Sequence, residues 1–459
     1  NPQSPIPNPQ NNKLKINQYK IINIIIKLFI KYFTKKYLSL INMSEKYISL
    51  FFLLITLLNI TSEIDYRAES LRLHFNKKGK IEVQSKIPVK TKDDLAIVYT
   101  PGVLETSRKI MENNSTVYKY TLKSHTVAVV TDGTAVLGLG DIGPEAAIPV
   151  MEGKALLYKE LGDVDAFPIC LDTKDPEEII KTVKYIAPTF GGINLEDISS
   201  PRCFEIEERL IRDLDIPVLH TDQHATAIVV SAGIINSLKI VKKEWQDLKI
   251  VITGSGAAGL STARLLMNFG PKEIILVNKG GVVYEGRPDL NPIVSKMAKI
   301  TNRNKIKGNL TDAIKDADIF IGLSRSKVLN TKMVKMMAKN AVVFALSNPD
   351  PEIMPEDAIA GGARIVATGR PEFPNHMNNE LAFPGLFRGA LMVRATSIVE
   401  DMKVGAARAL ASLVSDRELN EKFIVPDVFD KRCAKVIANE VAQVAEQLGL
   451  AKNPGNREW

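Results

Sequence analysis

From residue 65 onward, short apolar runs alternate with amphipathic stretches along the whole chain. HTVAVVTDG (125–133), DAFPICLD (165–172) and IPVLHTD (216–222) are near-continuous apolar segments, the pattern of strands covered on both faces in a parallel sheet. Between them, 145–161, 176–187 and 203–214 carry apolar residues at helical spacing. This alternation predicts βαβ units. A second series of strands is expected at 248–254, 272–278, 317–324, 341–347 and 363–369. A helix over roughly 224–242 joins the two series, and a long Ala-rich helical tail closes the chain from about 386. No solenoid-type repeat is present.

Residues 1–64 differ in kind. Residues 1–10 are rich in Pro, Asn and Gln, and 11–42 are biased to Lys, Asn and Ile. The first methionine is Met43, and MSEKYISLFFLLITLLNIT after it places Lys46 ahead of an apolar run at 48–58. That run is shorter than the roughly 20 residues a bilayer needs. Two readings stand: an upstream leader outside the folded protein, or an organelle or secretory signal starting at Met43. The first puts the protein in the cytoplasm.

Composition removes one class of partner. The chain is 45% hydrophobic over 459 residues, enough for two or three cores. Of the net charge of +8, eight lysines against two glutamates in residues 1–64 account for +6. The body is therefore nearly neutral and has no basic stripe interleaved with aromatics, so nucleic acid is not an expected partner. Three cysteines without CxxC spacing argue against a disulfide framework or zinc site and fit a reducing compartment.

The clearest motif follows the first strand of the second series. LKIVIT runs into Gly254-Ser255-Gly256-Ala257-Ala258-Gly259 and then into the helical LSTARLLMNFG. Glycine there permits the tight turn and lets backbone N–H groups approach a pyrophosphate at the helix N-terminus. The next strand ends at Asn278, where NAD-binding sites usually carry Asp or Glu for the ribose. An amide followed by Lys279 can accept a 2′-phosphate, which leaves the choice of NAD or NADP open. The expected fold class is α/β, with an N-terminal α/β catalytic domain (65–223) and a Rossmann-type dinucleotide-binding domain with C-terminal helices (224–459).

Two acidic clusters precede that loop, Glu196-Asp197 in GGINLEDI and Asp222 in HTDQHATA. Both fall where turn or strand residues give way to helical ones. Three carboxylates suit Mg²⁺ or Mn²⁺ and leave positions for a chelating substrate; the alternative is a solvated acidic turn and a helix N-cap.

The motifs Tyr99-Thr100-Pro101-Gly102-Val103, TDGTAVLGLGDIGPEAAIPVMEGKA (131–155), FGGINLEDI, PRCFEIE, SNPDPEI (347–353) and FPNHMNNELAFPGLFRGA (373–390) stand in order along the chain. Together they closely resemble malic enzymes of the short form found largely in bacteria and archaea, from about Leu71 to the C-terminal helices. The resemblance implies oxidation of L-malate by NAD⁺ or NADP⁺, loss of CO₂ and release of pyruvate. It implies Lys154 as the base, Tyr99 as the acid that protonates C3, and Glu196, Asp197 and Asp222 as ligands of Mg²⁺ or Mn²⁺. Asn348 and Asn378 match the asparagines that hold the substrate carboxylates. At least a homodimer is implied, with no membrane partner for the core. A malolactic reaction releasing lactate and a catalytically weakened binding protein are the alternatives.

One stretch departs from the pattern. Where the family has HDDQHGTA, this chain has Thr221 for the first aspartate and Ala225 for the glycine. The expectation is that Thr221 removes a carboxylate beside Lys154 and alters activity, and that Ala225 needs φ < 0 or is slightly strained.

Overall fold

The computed structural model describes residues 65–136, 138–457 and 459, so the expectations for residues 1–64, including the signal reading from Met43, lie outside the described residues. Within residues 1–78, the described part is helix α1 (Tyr66–Lys77), capped by the Asp65 carboxylate and with no buried residue. Residues 79–459 form a compact unit of their own.

That unit opens with an arm carrying α2 (Lys92–Val98) and α3 (Gly102–Glu112), neither of which buries a residue. A four-stranded parallel sheet follows, in the order β2-β1-β3-β4: β1 (Thr126–Thr131), β2 (Asp165–Cys170), β3 (Gly192–Leu195) and β4 (Val218–His220). Helices α4 (Pro144–Gly162), α5 (Pro176–Ile186) and α6 (Arg202–Asp213) connect these strands. Every residue of β1 is buried, as a central parallel strand with helices on both faces requires.

Helix α7 (Thr221–Val241) starts where β4 ends and leads to the second sheet. By length and composition it is apolar enough to cross a membrane, yet most of it is buried inside the fold. It packs on α8 (Ala257–Met267) and on the later helix Glu400–Ser412, and this burial accounts for its uniform apolarity. Asp222 therefore sits on the same helix that packs against the nucleotide-binding half.

The second sheet runs β10-β9-β8-β5-β6-β7. Its members are β5 (Lys249–Thr253), β6 (Glu273–Asn278), β7 (Gly281–Val282), β8 (Ile319–Gly322), β9 (Val342–Ala345) and β10 (Ile365–Thr368). All pair in parallel except β7, which returns antiparallel on β6. This is the doubly wound arrangement expected of a Rossmann-type domain. The expected helical tail is three helices: α9 (Phe383–Met392), α10 (Glu400–Ser412) and α11 (Arg432–Gln447). The first break falls at Arg394, which adopts φ 51.

Strand β3 was not among the expected strands. Its sequence GINL contains a fully buried asparagine, which interrupts the apolar run that marks the others.

Candidate active site

Helix α4 turns one face inward through Ala147, Met151, Lys154, Ala155, Tyr158 and Gly162. These positions repeat at helical spacing, so Lys154 lies on the core stripe, where an ammonium must find partners. Its Nζ is 2.9 Å from Glu196 Oε1 and donates to Asn379 Oδ1 at 3.4 Å. It also lies 4.0 Å from the centre of the Phe383 ring, whose π face attracts a cation.

Glu196 follows β3 directly, and its other oxygen is equally engaged. Asn194 Nδ2 donates to Oε2 at 2.8 Å, and the Thr221 hydroxyl donates to the same oxygen. Asn194 in turn accepts from the Tyr158 hydroxyl at 2.6 Å. Burial alone would raise the Glu196 carboxyl, but the Lys154 charge and these donors outweigh it and hold it below its ordinary value. Thr221 thus acts on Glu196, where the expectation had it acting on Lys154.

Asp197 is next in the chain, at φ 51 and 5% exposed. Its backbone N–H donates to Asp222 Oδ2 at 3.0 Å, and its carbonyl accepts from the Ala135 N–H at 2.8 Å. Burial, reinforced by the neighbouring charges of Asp222 and Glu196, pushes its carboxyl up to about 9. Asp222 is raised as well, first by burial and then by Glu196. Carboxylates crowded out of water with too little counter-charge are the donor set a hard divalent cation would relieve. As the side chains stand, no three Asp, Glu, His or Cys groups converge on one point among the described residues. Glu196 is instead turned onto Lys154. The donor chemistry fits Mg²⁺ or Mn²⁺, with Glu196, Asp197 and Asp222 as the groups that would hold it.

Behind Asp222, Glu207 on α6 ties down the start of α7. It accepts from the His220 backbone N–H at 2.6 Å and lies 3.0 Å from His224 Nε2. Lys403 on α10 meets the other nitrogen of that ring at 3.0 Å. Ala225 is fully buried in regular helix and is absent from the residues of positive φ, so it carries no backbone strain.

Of the two adjacent asparagines, the Asn379 side chain reaches Lys154. Asn378, the expected one, spends its Oδ1 on the Asn379 N–H at 2.7 Å, capping its own turn. Asn348, just past β9, lies against Gly369 at the end of β10, where a side chain would collide with its amide. Tyr99 stands apart. It is 67% exposed on the arm, and among the described residues its hydroxyl makes no hydrogen bond.

The glycine loop has the form the sequence predicts. Gly254 has φ 108 and faces the Leu323 carbonyl so closely that a Cβ would lie 2.3 Å from its oxygen. At Gly259 a Cβ would meet the Gly254 carbonyl at 2.0 Å, which keeps α8 tight on β5. At Gly256 a Cβ would enter open space, at the mouth of the α8 N-terminus formed by Ala257 and Ala258. This is a cradle into which a pyrophosphate fits.

Comparison with known proteins agrees with both halves. The family description "Malic enzyme, N-terminal domain" matches residues 78–211, and "Malic enzyme, NAD binding domain" matches 223–446. The bifunctional malic/malolactic enzyme of Bacillus subtilis is 52% identical over 387 residues, covering 84% of this chain and 94% of that protein. The NAD-dependent malic enzyme of Geobacillus stearothermophilus is 54% identical over 374 residues, covering 82% and 78%. The solved structure of the NAD-dependent malic enzyme of Thermotoga maritima superposes with a TM-score of 0.79 at 43% identity, covering 83% of this chain and 99% of that one. The fold and site define a two-domain, nicotinamide-dependent α/β oxidoreductase. The chain belongs to the malic enzyme family.

Proposed function

We propose that the chain oxidatively decarboxylates L-malate to pyruvate and CO₂, reducing NAD⁺ or NADP⁺ and requiring Mg²⁺ or Mn²⁺. The observation that carries this reading is the convergence of Lys154, Glu196 and Asn379, with Asp197 and Asp222 on the adjoining loop and helix start.

Lys154 is the base. Once its ammonium has released a proton to solvent, its Nζ takes the proton of the C2 hydroxyl, and the Phe383 face and Asn379 hold the ammonium that is formed again. A divalent ion, when bound, acidifies the hydroxyl and stabilises the enolate charge left by CO₂. Gly254, Gly256, Ala257, Ala258 and Gly259 would hold the dinucleotide pyrophosphate and Asn278 its ribose, and the nicotinamide would supply the hydride acceptor. Asn348, with Asn379 in the place expected of Asn378, orients the carboxylates. The functional division runs at about residue 223, with Lys154 and the metal groups before it and the nucleotide groups after it, where Asn348 and Asn379 also reach back to the substrate.

The chain is further read as a cytoplasmic homodimer or higher homo-oligomer, with neither nucleic acid nor membrane as partner of the core. Support comes from the nearly neutral body and from a row of exposed apolar residues on the arm, among them Val83, Ile97, Leu104 and Met111. Tyr99 lies in that row. Its part as the acid at C3 requires the arm to close onto a Lys154 cluster, and burial of the row by a second copy supplies the driving force.

The test is product analysis with malate, Mn²⁺ and each nicotinamide in turn. Pyruvate and reduced nicotinamide in equal amounts support the reading. Lactate without net reduction would replace it with the malolactic reading that the B. subtilis relative's name brings to mind.

A further inference from the structure

We infer that this chain selects NADP⁺ over NAD⁺, through a 2′-phosphate site made of Asn278, Ser255 and Lys279. The inference rests on reading Gly254–Gly259 as the dinucleotide loop.

Asn278 ends β6, the strand after the glycine loop, where the adenosine ribose of a bound dinucleotide lies. The Asn278 Oδ1 accepts two hydrogen bonds, from Arg287 Nη2 at 2.7 Å and from the Gly280 N–H at 3.0 Å. Two donors fixed on the oxygen set the orientation of the amide. The Asn278 Nδ2 is thereby turned to the glycine loop, where it donates to Ser255 Oγ at 3.3 Å. Asn278 has no acceptor left to offer a ribose hydroxyl.

The Asp289 carboxylate is withdrawn in the same way. Asp289 takes Arg287 Nε at 2.7 Å and Nη2 at 2.9 Å, in a two-point pair. The remaining nitrogen, Arg287 Nη1, donates to the Gly281 and Val282 carbonyls at 3.0 and 2.9 Å. All five N–H groups of this buried guanidinium are committed, so it locks Asn278 and has no hydrogen left for a ligand. Gly280 lies directly over the pair: a Cβ there would sit 2.9 Å from both Arg287 Nη2 and Asp289 Oδ2.

What remains at the strand end has three donors and no carboxylate. There is the Asn278 amide, the Ser255 hydroxyl proton, and the exposed ammonium of Lys279, which has no ion-pair partner among the described residues. A 2′-phosphate accepts from all three, with charge assistance from the lysine. A 2′-hydroxyl must place its own proton and finds no free carboxylate to take it. An amide followed by Lys279 leaves the choice open in the sequence; the direction of the amide decides between the two cofactors.

The test is calorimetric titration of the purified protein with 2′,5′-ADP, 5′-AMP, NADP⁺ and NAD⁺, without malate or metal. The phosphorylated member of each pair is expected to bind at least about tenfold more tightly. Lys279→Ala should reduce that ratio about tenfold by weakening the phosphorylated ligands alone, and Asn278→Asp should invert it. Equal affinities in both pairs, or a ratio unchanged by Lys279→Ala, overturn the 2′-phosphate site and leave the dinucleotide loop standing. Absence of binding by all four ligands overturns the loop reading itself.

Discussion

Thr221 offers the sharpest structural perturbation of the site. Its side chain is fully buried at the first position of α7, and its hydroxyl donates to Glu196 Oε2. Thr221→Val keeps the shape and deletes the donor. Glu196 retains Lys154 at 2.9 Å and Asn194 at 2.8 Å, so the carboxylate is not orphaned. The loss is one hydrogen bond to a charged acceptor, about 1.5–3 kcal/mol. In a chain of this size that corresponds to a melting point lower by about 1.5–3 °C. Thr221→Ser restores the hydroxyl and should recover most of the loss. Thr221→Asp sets a second carboxylate against Glu196 in a dry position, which costs more and must be relieved by a proton or a cation. Its deficit should therefore shrink when Mn²⁺ is added, and its malate-dependent rate and pH profile should differ from the parent's. Thermal unfolding of the four proteins at pH 7, with and without Mn²⁺, reads these differences. A Thr221→Val protein within about 0.5 kcal/mol of the parent refutes the hydrogen-bond account. So does a Thr221→Asp protein whose deficit ignores Mn²⁺ and whose rate and pH profile match the parent's.

Asn379→Ala removes one of the partners of Lys154 and should lower kcat/KM for malate about 10- to 100-fold, whereas Asn378→Ala loses a turn cap and should cost about 1 kcal/mol of stability with a smaller kinetic effect; steady-state kinetics that rank the pair the other way contradict this. Burial would raise the Glu207 carboxyl, but His224 and Lys403 hold it down to about 2, below its ordinary 4.5. A lowered folded-state value stabilises the protein above pH 4.5, and that stability is lost as pH falls toward 2. The contribution is about 3 kcal/mol, so the acid-unfolding curve of Glu207→Gln should be flatter between pH 4.5 and 2, and an identical curve counts against the network. Ile97→Asp on the exposed apolar arm should weaken self-association in sedimentation experiments, and a protein already monomeric at all concentrations removes the oligomer reading.

The parts legible in the sequence were those with a strong local signature. Eight strands announced themselves as apolar runs, and the glycine loop by the steric demands of Gly254 and Gly259. What was hidden depends on direction and tertiary contact. Strand β3 was masked by Asn194, a polar residue kept in the core because it bridges Tyr158 and Glu196. Two adjacent asparagines look alike until one is seen to cap its turn and the other to meet Lys154. The stripe of α4 did carry a usable signal, since a lysine at a core position four residues before a buried tyrosine is a charge in need of a partner. The position of Tyr99 was not readable, because an exposed arm takes its place from what covers it.

The central claim is that malate is turned over at Lys154 beside Glu196, Asp197 and Asp222. Lys154→Met, which keeps the length and apolar stem of the side chain, tests it most directly when malate-dependent pyruvate formation is measured alongside direct binding of Mn²⁺ and dinucleotide. The prediction is a fall in kcat of at least about a thousandfold with dinucleotide binding unchanged and Mn²⁺ still bound. Turnover within about tenfold of the parent, with both ligands bound, would contradict the assignment of the base.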